Sequence, residues 1–354
     1  MLVSRKEVIR LEPSERKKKI LKTVVESYIS TGEPVGSKAV CGMLDFPVSS
    51  ATVRNDMAEL SEQGLLEQPH TSAGRIPSNR GYRYYVDELM PVKKLSDDKR
   101  EMISQRLYAS ADEPEKILSG ASNLLASLSG YAAISTTPPG KDATVKRIRL
   151  VQTSTYSSMV VLITSSGMVK NRLFRCDFVL TPELLKIFEN AVNSKLCGLS
   201  LSSFTPAFIQ TTTIGFGELA MLLPNVMLAI MEAAQEASGT NISLDGETNL
   251  LFLPELDLSS ASNVLNFLTR SGDVTDLLFR DDEAKNGIII GDESSRAELK
   301  DLSIIKSHYT ISDSNSGVIA IIGPVRMDYA GILADIKFIS ETVGKLIRDL
   351  MFDK

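Results

Sequence analysis

The clearest patterned stretch of the chain runs from Ser49 to Gln63, where Val53, Met57 and Leu60 recur at i, i+4 and i+7. That spacing predicts a helix with one narrow buried stripe. Ala51 and Asn55 fall on the opposite side, with Thr52 and Arg54 on the flanks. Pro47 stops whatever precedes the helix. Ser49 or Ser50 can cap its first amides, and Gly64 stands where a left-handed residue would end it. Small and polar side chains crowd the N-terminal half, while Glu59 and Glu62 lie further on. Such polarity suits a helix that enters an anionic groove by its N-terminus. An ordinary amphipathic surface helix shows the same stripe, so the flanking elements decide.

Upstream, Ile20, Leu21, Val24, Val25, Tyr28 and Ile29 form one broad apolar face and predict a helix over 14–30. Its run Arg16-Lys17-Lys18-Lys19 either follows a phosphate backbone or is a solvated face. Thr31-Gly32-Glu33-Pro34-Val35-Gly36 is a turn, and Ser37 then caps a short helix to Leu44. Helix, short helix, turn, helix is helix-turn-helix order. After Gly64, Leu65-Leu66-Glu67-Gln68 reads as a strand, residues 69–74 as a polar tip, and Arg75-Ile76 as a return strand ended by Pro77. A hairpin in that place is a wing. Ser78 caps a further helix bearing Tyr82, Tyr85, Val86 and Leu89, closed by Pro91.

Beyond the head, residues 93–113 read as a charged connecting helix, followed by an apolar-faced helix from Pro114 to Ser129. The period then changes: 145–151, 158–164 and 168–174 predict three strands of an antiparallel meander. Further strands are expected at 287–290, 303–310 and 317–322, with a closing helix carrying Ile332, Ile336, Ile339, Val343 and Ile347. The pattern suggests one sheet whose halves are split by a mostly helical insertion. The expected division is 1–92 for the winged head and 93–113 for the connector. The sheet domain takes 114–178 with 285–354, and the insertion 179–284.

Composition narrows the class. The chain has 354 residues, enough for two or three cores, and its 43% apolar and 23% charged content is that of a globular protein. The net charge of −5 is uneven: residues 1–100 carry 17 Lys and Arg against 14 Asp and Glu, the remainder 22 against 30. A basic head on an acidic body fits contact with DNA at one end. Cys41, Cys176 and Cys197 are scattered and odd in number, as for reduced buried thiols. The longest apolar run, 219–231, contains Pro224 and is too short to span a bilayer, and no apolar leader follows the N-terminal charges. A cytoplasmic protein is expected, with no membrane partner and no cofactor.

Four runs together carry a resemblance. They are Gly32-Glu33-Pro34-Val35-Gly36-Ser37-Lys38, Ser50-Ala51-Thr52-Val53-Arg54-Asn55-Asp56-Met57, Pro69-His70-Thr71-Ser72-Ala73-Gly74-Arg75-Ile76-Pro77 and Gly81-Tyr82-Arg83. They closely resemble the heat-inducible transcription repressor (HrcA) family, and Asn249-Leu250-Leu251 and the run Gly323 to Ala330 agree more loosely. The resemblance implies an α+β multidomain chain: an N-terminal winged helix, a GAF-like α/β domain with an antiparallel sheet, and an inserted dimerisation domain. It further implies a homodimer on an inverted-repeat operator, called CIRCE, ahead of chaperone operons. The GroEL chaperonin is the implied modulator.

The residue chemistry gives the candidate site. Ser49, Ser50, Thr52, Arg54 and Asn55 are expected to read base edges or adjacent phosphates from the central helix, since arginine can bridge guanine and asparagine adenine. Arg54 paired with Asp56 or Glu59 is the bland alternative. Lys17, Lys38 and Arg75 are expected on the backbone, with His70 and Ser72 at the wing tip. His70 has no second histidine or cysteine at ligand spacing, so no metal is expected. Leu222, Met227 and Met231 are the expected dimer contacts, against the alternative of a helix buried within its own domain. Three rival functions remain. Gly215-Phe216-Gly217-Glu218-Leu219-Ala220 matches a nucleotide-loop pattern if 208–214 is a strand, but Pro224 and the missing acidic partner oppose it. A metabolite-sensing winged-helix regulator of other genes and a winged helix used only for protein contacts are the others.

Overall fold

The computed structural model describes residues 13–109, 112–140, 143–279, 286–312 and 315–351. Helix α1 (Glu15–Thr31) follows Ser14, and α2 (Ser37–Met43) and α3 (Ser50–Glu62) follow in turn. Strands β1 (Leu66–Glu67) and β2 (Ile76–Pro77) pair antiparallel as the wing. Helix α4 (Asn79–Tyr84) is capped by Ser78, whose Oγ accepts the Gly81 N–H, and runs into one π-helical turn at Tyr85–Leu89. The apolar stripe is buried as expected: Ile20, Leu21, Val24 and Val25 of α1 meet Val53, Met57 and Leu60 of α3. Gly36, not Ser37, occupies the cap position of α2.

After α5 (Asp97–Tyr108) and α6 (Pro114–Ser129), strand β3 (Ala132–Thr136) enters the body. All five of its residues are buried, so it lacks the alternation that marks a half-exposed strand. The chain then leaves for β4 (Val145–Gln152), β5 (Ser157–Thr164) and β6 (Val169–Arg175), and for α7 (Pro182–Leu196), α8 (Pro206–Ile214) and α9 (Pro224–Ser238). It returns as β7 (Ile242–Asp245), α10 (Leu258–Leu268), α11 (Ser271–Phe279), β8 (Ile288–Ile290), β9 (Leu302–Ser312), β10 (Asn315–Pro324) and α12 (Tyr329–Met351).

The meander exists, but it does not share a sheet with the downstream strands. Strands β4-β5-β6 form a sheet of their own, and β7-β3-β10-β9-β8 form a five-stranded antiparallel sheet. The physical reason is a separate core. Ile148, Val160, Leu162 and Phe174 on one face of the small sheet pack with Phe188 and Val192 of α7 and Val226 and Ile230 of α9. The pairing positions beside β10 and β3 go to β3 and β7, neither of which the sequence pattern had supplied. The unit with this separate core runs over about 143–239 and joins the three-stranded sheet to the helices α7, α8 and α9. Its exit and return are clamped together, the Thr137 N–H donating to Asn241 O at 2.9 Å. The expected edge at 284/285 lies outside the described residues.

On one face of the large sheet lie α10 and α11, through Val264, Phe267, Val274 and Leu277. The other face packs α6 and α12, and there the core runs without interruption into the head: Tyr82 and Tyr85 join Ile117, Ile336 and Ile339 in one cluster. The thiols are unpaired; Cys176 is buried, Cys41 half-buried, and Cys197 exposed, contrary to expectation.

Candidate nucleic-acid interface

Helix α3 begins on Ser49, whose Oγ accepts the Thr52 N–H at 3.1 Å and lies 2.9 Å from the Thr52 hydroxyl. This cap satisfies an amide that would otherwise be orphaned and fixes where the helix starts. Ser49, Arg54 and Asn55 are exposed, Ser50 and Thr52 half-buried. They occupy the outer face because Val53, Met57 and Leu60 commit the other to the core.

Two of the three acids of α3 are engaged by α1, while Glu62 is exposed at the far end of the helix. Asp56 accepts from Arg16 Nε at 2.7 Å and Nη2 at 3.0 Å. Glu59 holds the Lys17 ammonium. Neither is bonded to Arg54, which has no hydrogen-bond or ion-pair partner among the described residues. The pairing alternative for Arg54 is thereby removed. The same geometry revises Lys17: its ammonium is engaged by Glu59 and only 17% exposed, so it braces α1 against α3 instead of reaching outward. Lys38 on α2 is exposed and has no ion-pair partner among the described residues.

The wing is bound to the helical unit at three points. Arg75 and Val35 exchange both backbone hydrogen bonds at 2.9 Å, and Arg75 Nε donates to Ser61 Oγ of α3 at 3.0 Å. Gly74 makes this approach possible, because a Cβ there would lie 2.4 Å from Val35 O. Gln68 Nε2 donates to Thr71 O and Ala73 O at 2.9 and 3.1 Å and so shapes the tip. His70 and Ser72 are exposed on that tip. Between wing and helices lies a cleft of about 400 Å³ lined by Ser37, Arg54, Gln68, Ser72 and Arg75. Arg54, Ser72 and Arg75 are thus brought together, whereas Lys38 and His70 stand outside that cleft. The structural parts of Arg16 and Gln68 were not foreseen. The signal available was Asp56 itself, a carboxylate beside the apolar stripe that needs a cation when buried.

The dimer residues separate. Met227 is 0% exposed within the core of the insertion, so the alternative of a helix buried in its own domain holds for it. Met231 packs partly against the same core, and Leu222 is 36% exposed. The nucleotide-loop reading also falls. Residues 208–214 belong to helix α8, and Gly217 opens a 3-10 turn, so no strand leads into the glycines. Among the described residues no cluster of three or more His, Cys, Asp and Glu is placed to hold a metal, and no helix is long and apolar enough to cross a membrane.

A helix-turn-helix with a wing, its central helix exposing Arg54 and Asn55 while Asp56 and Glu59 are engaged by α1, defines the head of a winged-helix DNA-binding regulator. The family model described as HrcA protein C terminal domain matches residues 115–333, and that of the DeoR-like helix-turn-helix domain matches 42–79. The heat-inducible transcription repressor HrcA of Acetivibrio thermocellus is 34% identical over 340 residues, covering 95% of this chain and 97% of the relative. The protein of the same name from Ruminiclostridium cellulolyticum is 33% identical, with 95% and 98% covered. A solved structure described as a hypothetical protein superposes with a TM-score of 0.69 at 25% identity, over 96% of this chain and all of the other. The chain belongs to the heat-inducible transcription repressor HrcA family, whose role is regulatory and not enzymatic.

Proposed function

We propose that the protein represses chaperone operons by binding, as a cytoplasmic homodimer, an inverted-repeat operator of the CIRCE type, and that the GroEL chaperonin modulates its activity. The observation that carries the DNA part is the exposed Arg54–Asn55 pair on a helix whose neighbouring acids, Asp56 and Glu59, are engaged by Arg16 and Lys17. Arg54 and Asn55 read bases, Ser49, Ser50 and Thr52 meet the neighbouring backbone, and Lys38, His70, Ser72 and Arg75 hold phosphates or the minor groove. One head reads one half-site, so a palindrome requires two copies. The chaperonin rests on the family likeness alone.

With Met227 buried, the open face of the small sheet supports the dimer better. Across its register, Val151, Met159 and Leu173 form one row, and Ile163 with Val169 belongs to another. Leu173 is 69% exposed, and Met159, Val161 and Ile163 are only half-covered. An apolar sheet face of this kind is expected to be covered in the working assembly.

A footprint of the purified protein on its own upstream DNA, with and without purified chaperonin, tests the proposal. Protection of two symmetrical half-sites, strengthened by chaperonin, is expected. No preference for any duplex at moderate ionic strength overturns it.

A further inference from the structure

A second cleft, of about 290 Å³, lies where head meets body. Its walls include Tyr28 of α1, Tyr82 of α4 and the wing base from one side, and Glu255, Lys300 and Arg326 from the other. Tyr82 is 2% exposed, yet its hydroxyl has no hydrogen-bond partner among the described residues. A buried polar group left in this state calls for an explanation. Tyr82 itself lines the cleft, and burial raises its pKa far above the ordinary value, so the hydroxyl stays a protonated donor.

The other groups in the cleft repeat that imbalance. The side chains of Tyr28 and Lys300 make no hydrogen bond or ion pair among the described residues. Arg326 gives Nε to Glu255, which neutralises that acid. Donors therefore converge on the inner end of the cleft without a bonded acceptor. Ile76, Pro77 and Val325 supply an apolar wall, and the remaining acids, Glu67 and Asp301, are exposed. Two exposed acids disfavour a phosphate dianion and tolerate a monoanion.

We propose that this junction cleft binds a small aliphatic carboxylate, its acid group on the Tyr82 and Tyr28 hydroxyls and Lys300, and its tail against Ile76, Pro77 and Val325. Such a ligand touches head and body at once. It therefore favours the one head orientation in which both walls are in reach, and through that orientation it biases DNA binding. The inference does not depend on which operator the head reads.

Calorimetric titration of the full chain with 4-methylpentanoate and with L-leucine, in the absence of DNA, tests it. The two probes share a skeleton and differ in the ammonium group, so tighter binding of leucine assigns a part to Glu67 and Asp301. Saturable binding of at least one probe is expected. Tyr82→Phe should weaken it at least tenfold while leaving the melting temperature of the free protein unchanged, because that hydroxyl bonds to no protein group. Lys300→Met, on the surface, should weaken it as well and serves if Tyr82→Phe alters folding. Absence of saturable binding of both probes overturns the proposal. So does binding that both variants leave intact, or a crystal grown with the probe in which only water meets the Tyr82 hydroxyl.

Discussion

Asp56, on the inner side of α3, receives two hydrogen bonds from the Arg16 guanidinium of α1, at 2.7 and 3.0 Å. The carboxylate side is buried, at 2% exposure, while the arginine remains half in water. Removing the arginine strands a buried charge, whereas changing the acid leaves a cation that water reaches. Arg16→Ala is therefore expected to lower the urea midpoint of the full chain more than Asp56→Asn, which keeps an acceptor oxygen. Equal midpoints would show that the pair does not brace α3.

Arg54 offers the opposite case, a side chain without a protein partner. Arg54→Ala should leave stability within about 0.5 kcal/mol and cost about 1–3 kcal/mol of discrimination between operator and random duplex. Paired binding isotherms measure this, and an unchanged ratio removes Arg54 from recognition.

Lys38 acts through charge and not through base edges. Lys38→Ala should weaken operator and random DNA alike, and flatten the slope of log K against log salt by about one. A change confined to the operator would contradict this assignment.

Gly74 lets the wing lie against Val35. Gly74→Ala puts a carbon 2.4 Å from the Val35 carbonyl oxygen, so the hairpin must shift. An overpacking cost of about 1–3 kcal/mol is expected in urea unfolding, together with a loss of affinity for every duplex. Unaltered DNA affinity would show that the wing makes no contact.

Leu173 and Met227 separate the two ideas of the dimer. Leu173→Glu should give a folded monomer by sedimentation with an unaltered circular dichroism spectrum. Met227→Glu should unfold the insertion, because it places a charge in a sealed core. A dimeric Leu173→Glu protein retires the open sheet face.

The head was legible in the sequence because its signals are local. The stripe Val53-Met57-Leu60, the caps Ser49 and Ser78, and Gly64 at φ +71° each act within a few residues. What escaped was decided between distant residues. Strand β3 is buried on both faces and shows no alternation, so only its pairing with β10 and β7 marks it as a strand. The small sheet was recognised strand by strand but assigned to the wrong partner, since antiparallel neighbours are chosen by core packing as well as by pattern. Arg16 is another example: a Lys- and Arg-rich run reads equally as solvated or DNA-facing until Asp56 is seen across 40 residues. The outward face of α3 was readable, but the Lys17–Glu59 contact that takes Lys17 away from it was not.

Arg83 of α4 donates to Glu293 and to the Ile288 carbonyl at 2.8 Å, and Tyr82 meets Tyr329 with ring centroids 6.0 Å apart. The head is thus held to its support by side-chain contacts as well as by the chain. In any symmetrical pair the gap between the two reading helices then becomes a gauge length cast into the body. The operator must match it in phase as well as in letters: a spacer changed by about five base pairs turns the second half-site to the far side of the duplex, while about ten base pairs restore its facing but not its reach.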